Sequence, residues 1–226
     1  MRLLPGPFLD AQSTALEHLL SLDPHRLLAP LRREAGLPPL AEPYGNWESS
    51  GLDGHTLGHA LSGAALMSAV TDDPRPRAMV ERLVQGVVEC QEALGTGYVG
   101  GVPDGVRLWE RVAAGQVERD SFALGGAWVP WYNLHKLFAG LLDAHRYAGS
   151  DLALTAVRRL ADWWDRVAAG MDDETHEATL CTEFGGMCEV LAALSPGPFS
   201  PSGQEPGVVS TAPIFTVGST AFIAFA

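Results

Sequence analysis

Three short stretches of this 226-residue chain concentrate the side chains that could do chemistry. The first is Tyr44-Gly-Asn-Trp-Glu-Ser-Ser-Gly-Leu-Asp-Gly-His-Thr-Leu-Gly-His59, with Trp47, Glu48, Asp53, His55 and His59. His55 and His59 are four apart, so on a helix they share a face and could bind zinc. The glutamate of a metalloprotease motif and a third ligand are both missing. A polar ligand site lined by these residues, or histidines hydrogen-bonded within a helical core, are the competing readings. The second stretch is Trp128-Val-Pro-Trp-Tyr-Asn-Leu-His-Lys136. Aromatic faces beside polar donors suit sugars, whose C–H faces stack on rings while their hydroxyls take hydrogen bonds. The rival reading is that Trp128 and Trp131 only wedge a helix start into the core. The third, Cys181-Thr-Glu-Phe-Gly-Gly-Met-Cys-Glu189, offers Glu183 and Glu189 as cleft carboxylates, against a solvated or helix-capping role.

These stretches sit on a helical pattern. From Leu57 to Val70 small and apolar residues occupy every face, as in a helix packed closely on all sides. Asp72-Asp73-Pro74 offers a cap with proline at the first helical position, and the next helix runs to Leu94. Its apolar residues, among them Val80, Leu83, Val84 and Val87, keep to one side, and Gly95 ends it. The couplet recurs from Leu134 to Gly149 and from Ser150-Asp151 to Gly170, and a third begins around Met187, Val190 and Leu191. Such repetition predicts an all-α fold of inner and outer helices, stacked as a solenoid or closed into a toroid. Gly97 to Pro103 is too glycine-rich for a helix and reads as a short ribbon or turn. Each chemical cluster opens an inner helix, so a toroid would gather all three at one end. A concave site with aromatics, histidines and carboxylates is the usual form of a carbohydrate cleft. Glycoside hydrolysis needs an acid and a nucleophile or base flanking the bond. Glu48, Asp53, Glu183 and Glu189 could supply carboxylates, but no spacing selects a pair.

Composition narrows the function classes. A net charge of −12 argues against a nucleic-acid partner, which needs a basic face. No apolar run is long enough to cross a membrane, and no secretory leader is visible at the start. Three cysteines, Cys90, Cys181 and Cys188, make no disulfide framework, and a cytoplasmic location is expected. The helical pattern stops at Leu194: residues 195–226 hold five prolines, one acidic residue and no Lys or Arg. They are expected to be a non-native continuation, as a shifted reading frame would give, or disordered.

Leu9-Asp-Ala-Gln12, Leu22-Asp-Pro-His-Arg-Leu-Leu28, Tyr44 to His59, Cys90-Gln91, Gly97 to Pro103, Trp128 to Gly140 and Thr182 to Leu191 resemble glycoside hydrolase family 127. These are the β-L-arabinofuranosidase-like proteins. The resemblance implies an (α/α)6 toroid followed by β-sandwich domains, and release of terminal arabinofuranose from plant-type glycans with retention. It also implies a zinc-bound cysteine nucleophile and a glutamate acid/base. None of the three cysteines matches that nucleophile or a zinc ligand, so no catalytic or metal residue is carried over. Zinc is expected for the full-length family and not in this chain. A complete toroid needs about twelve helices, roughly 350–400 residues, so residues 1–194 read as about half of one, truncated before the catalytic site. The resemblance assigns substrate binding to His135 first, then to Trp131, Glu48, Asp53, His55, His59 and Glu183. At Cys188 it predicts asparagine. The expected partner is an arabinose-containing oligosaccharide or glycan, with self-association through exposed helix faces. A non-catalytic carbohydrate-binding protein or a helical interaction protein is the alternative.

Overall fold

Small residues decide how closely the central helices meet, and that closeness positions everything else. The computed structural model describes residues 2–181 and 185–194. Its elements in order are α1 (Pro7–Leu20), α2 (Pro24–Glu34), a 3-10 turn (Asn46–Ser49), α3 (His55–Val70), α4 (Arg75–Leu94) and α5 (Gly105–Ala113). There follow the strands β1 (Arg119–Asp120), β2 (Ala123–Leu124) and β3 (Ala127–Trp128), then α6 (Pro130–Ala148), α7 (Asp151–Ala168), α8 (Asp173–Leu180) and α9 (Gly185–Leu194). The fold is all-α, with one small antiparallel meander in the order β1-β2-β3.

The helices lie in two rows. One row is α3, α6 and α9, each packed on the next; the other holds α4 and α7, packed on each other and on α3 and α6 respectively. The pairing follows from the sequences. Helix α3 is apolar or small all round, with Leu57, Ala60, Leu61, Ala64 and Ala65 all buried. At its crossing with α6, Gly58 and Gly140 face each other, and a Cβ on either would overlap the other helix's backbone. Two glycines therefore let α3 and α6 touch main chain to main chain. Helix α4 buries only one side, through Met79, Val80, Leu83, Val84 and Val87. Gly95 and Gly149, at φ 70° each, stop α4 and α6 in the left-handed conformation that glycine adopts without strain. The Ser150 hydroxyl then caps α7 by accepting from the Ala153 amide at 3.2 Å.

Four indoles fill the space where α5, α6 and α7 converge: Trp131 lies 4.6 Å from Trp164 and 4.8 Å from Trp109, centroid to centroid, and Trp163 packs on both partners. The T-shaped pairs suit the ring quadrupoles. Gln91 on α4 ties this region together, donating to the carbonyls of Gly97 at 2.8 Å and Ala156 at 3.0 Å.

Of the ribbon or turn expected at Gly97 to Pro103, the structure takes the turn: the stretch carries bends and no strand, and the ribbon lies at 119–128. Pro74 caps α4 rather than opening it, while Asp73 accepts from the Arg75 amide at 2.8 Å. Among the described residues no helix is long and apolar enough to cross a membrane.

Candidate functional site

The N-terminal ends of α3, α6 and α9 meet, which brings the three sequence clusters together at the end of one helical row. Beside the starts of α6 and α9 lies a cavity of about 490 Å3, with His135, Lys136 and Tyr132 from α6, Gly186 and Met187 from α9, Leu52 from the loop before α3, and Trp47 and Trp128. Residues 182–184, including Glu183, lie outside the described residues.

His135 is half-buried in this wall, and its Nε2 is shut from solvent with no hydrogen-bond partner among the described residues. Burial, and then the Lys136 ammonium beside it, lower its pKa, so the imidazole is neutral at neutral pH. A neutral imidazole is both donor and acceptor, which matches a hydroxyl. Lys136 is the only lysine among the chain's 15 Lys and Arg residues. Its Nζ stands 4.9 Å from the centroid of the Tyr132 ring. The Tyr132 hydroxyl in turn lies 3.0 Å from Nε2 of His59. His59 is also held below its ordinary pKa, by burial and then by Lys136.

Glu48, Asp53 and His55 do different work. Glu48, only 4% exposed, accepts from the amides of Gly54 and Thr56, both at 2.7 Å, so it caps the start of α3 from the preceding turn. Nδ1 of His55 lies 2.9 Å from the Glu48 carboxylate and 2.6 Å from the Leu52 carbonyl. Burial is the largest single influence and pushes this imidazole toward neutrality. The hydrogen bonds to Glu48 and the Leu52 carbonyl, together with the charges of Glu48 and Asp53, outweigh it, and the His55 pKa is raised. Burial likewise opposes the Glu48 charge, and the bonds from His55, Thr56 and Gly54 still hold its pKa below the usual carboxylate value. Asp53 pairs with Arg33 of α2 at 2.9 Å and accepts from the Gly51 amide at 3.0 Å. Its carbonyl takes the Asn133 side-chain amide of α6 at 2.8 Å. These three residues lock the loop before α3 to α2 and α6. His55 is the first residue of α3, and with His59 it forms an edge-on ring pair at 6.0 Å. No group of three or more His, Cys, Asp or Glu able to hold a metal exists among the described residues.

Trp131 borders the cavity but belongs to the core: it is 2% exposed, and its indole N–H donates to the Thr179 carbonyl at 3.0 Å. Glu189 is exposed on α9. The aromatic surface that does reach the cavity comes from Trp47, Trp128, Phe122 and Tyr132. Phe122 sits at the tip of the β1–β2 hairpin, and its carbonyl accepts from Val129 at 2.8 Å, folding the ribbon over the start of α6. Reading by helical periodicity passed over Phe122, because a two-residue strand leaves no period to detect. The Ser-Phe-Ala-Leu-Gly-Gly run around it was the available signal. Tyr132 and Lys136 fall within the aromatic stretch Trp128 to Lys136, whose composition marks a sugar site without assigning either a role.

Residues 1–196 match the family model described as beta-L-arabinofuranosidase, GH127 catalytic domain. Among curated proteins, none matches the chain significantly.

Proposed function

The chain belongs to the GH127 β-L-arabinofuranosidase catalytic-domain family, and from that premise we propose that the cavity at the ends of α3, α6 and α9 holds a terminal arabinofuranose of a glycan. The two helical rows would be one arc of an (α/α)6 toroid. The supporting observation is His135: a neutral imidazole in a cavity wall whose buried Nε2 has no partner among the described residues. A small turn of the ring would bring that nitrogen to the cavity surface, where a sugar hydroxyl would satisfy it and recover the cost of about 1–3 kcal/mol that a buried polar atom without a partner carries. Lys136 adds a donor, and the indoles add apolar faces. His59 acts through the Tyr132 hydroxyl. Glu48, Asp53 and His55 serve as positioning residues.

The family's zinc-thiolate chemistry finds no donor set among the described residues. Cys90 is fully buried on α4, and burial pushes its thiol up to about 12, so it is neither a thiolate nor within reach of other ligands. Cys181 is exposed and Cys188 is also raised by burial. No step of hydrolysis is assigned to the described residues; their contribution is binding and orientation. The same disagreement favours a second reading, in which the chain holds sugar without cleaving it.

The test is calorimetric titration with methyl β-L-arabinofuranoside, which keeps the sugar in its furanose ring, alongside a chromogenic β-L-arabinofuranoside. We expect saturable binding that His135→Ala weakens at least tenfold. Turnover of the chromogenic substrate supports the enzyme, and binding without turnover supports the holding reading. Absence of binding by the wild-type protein would overturn both.

A further inference from the structure

The 3-10 turn Asn46–Ser49 is folded inside out. Glu48 is 4% exposed, while Trp47 beside it is 65% exposed. Burying the charge and leaving the indole in water reverses the ordinary preference of both side chains. The bonds to Gly54, Thr56 and His55 account for Glu48. No hydrogen bond or ring contact of the Trp47 indole exists among the described residues to account for its position. The same inversion recurs across the cavity, where Trp128 is 41% and Phe122 is 64% exposed. That arrangement carries backbone strain. Phe122 has φ 62°, and Val129, next to Trp128, has φ 40°, a conformation that a β-branched residue avoids. Strain of this kind persists where the surroundings enforce it, and it concentrates at binding sites.

The three aromatics border the cavity that holds His135. Trp47 and Trp128 also border a second, wider hollow of about 870 Å3, lined as well by Tyr44, Asn46, Ser50 and Thr56. The two indoles thus stand between two compartments. Tyr44 is fixed in its wall: its hydroxyl accepts from the Asp23 amide at 2.8 Å, and Arg26 stacks on its ring at 4.0 Å. The charged groups in the outer hollow are Glu48 and His55, and they are paired with each other. A hollow with an aromatic wall, an amide and hydroxyls at its rim and no unpaired charge fits a neutral, hydroxyl-rich ring.

We propose that the outer hollow is a second sugar site, in which Trp47 and Trp128 bind the glycosyl unit next to the terminal one. Trp47 then determines specificity: the site distinguishes a chain of two or more sugar units from a single one. The inference rests on the reading that the inner cavity takes the terminal sugar, and the experiment separates the two.

Wild-type protein, Trp47→Ala, Trp47→Phe and His135→Ala are titrated with methyl β-L-arabinofuranoside and with a β-linked arabinofuranosyl disaccharide. The wild type should bind the disaccharide at least tenfold more tightly. Trp47→Ala should abolish that preference by weakening the disaccharide at least tenfold more than the monosaccharide, with Trp47→Phe between them; His135→Ala should weaken both ligands. Because Trp47 is exposed, its loss is not expected to disturb folding, and far-UV dichroism checks this. Equal affinity of the wild type for both sugars, or a preference that survives in Trp47→Ala, would overturn the second site while leaving the inner one standing. Binding of neither sugar by the wild type would overturn both.

Discussion

Gly186 lies directly against the imidazole of His135: a Cβ at position 186 would stand 2.5 Å from Cγ of the ring and 2.6 Å from Nδ1. Helix α9 therefore sets where the His135 ring can sit, and it does so by lacking a side chain at one position. Gly186→Ala must displace either the ring or the helix. Overpacking of this kind costs about 1–3 kcal/mol. We expect monosaccharide affinity to fall at least tenfold in calorimetry while far-UV dichroism keeps its helical signal. Unchanged affinity would mean that His135 is not held by this contact.

The crossing of α3 and α6 is less forgiving. A Cβ at Gly58 would overlap the Lys136 carbonyl, and backbone cannot rotate away as a side chain does. Gly58→Ala should destabilise the protein by about 3 kcal/mol, read as a lower urea midpoint. Gly95→Ala is the control. Position 95 has φ 70° and open space around its Cβ, so only the left-handed backbone is penalised, by about 1 kcal/mol. Equal losses for the two variants would refute the close crossing.

The glycine-rich, apolar character of 57–70 was enough to read α3 as a helix packed on all sides, and the couplet pattern located α4, α6 and α7. That the three clusters open α3, α6 and α9 was legible for the same reason. Roles within the clusters were not. A string containing Glu48, Asp53 and His55 reads as ligand chemistry, yet these side chains face backbone amides and Arg33, partners that no periodicity reveals. Trp131 and Trp128 are three residues apart, and their opposite fates depend on the turn at Val129. Helix α8 and the ribbon escaped notice because neither carries an apolar stripe long enough to show a period.

The Glu48–His55 pair gives stability a pH window. Glu48 titrates below its ordinary value of 4.5 in the folded protein, so its contribution is complete above 4.5 and is lost as pH falls through the lowered pKa. His55 titrates above its ordinary value of 6.5, so its contribution is complete below 6.5 and fades as pH rises through the raised pKa. Both are in full effect between those two values. Urea unfolding of wild type and His55→Gln should differ most near pH 5.5, with the gap shrinking toward alkaline pH. Glu48→Ala leaves the imidazole and two amides without their acceptor and should cost about 3 kcal/mol at pH 5.5. A wild-type advantage over His55→Gln that grows with pH would refute the pair's assigned charge states.

Lys136 connects the chemistry of two histidines. Burial is the larger cause of the lowered pKa of both His59 and His135, and the Lys136 ammonium comes next for each. Lys136→Met keeps the length of the side chain and removes its charge. The pKa of both imidazoles should then rise, followed as proton chemical shifts against pH, while burial keeps them from rising further. Binding should respond in step if the neutral His135 ring is the form that meets the sugar. Affinity in wild type is then flat above the lowered pKa and falls only in acid, and in Lys136→Met the fall begins at higher pH. Since Lys136 is the sole lysine, an amine-specific reagent modifies it and the N-terminus alone, and bound sugar should slow its modification. Histidine titrations unmoved by the substitution would show that the ammonium does not govern the ring charges. Modification at the same rate with and without sugar would place the ligand away from α6.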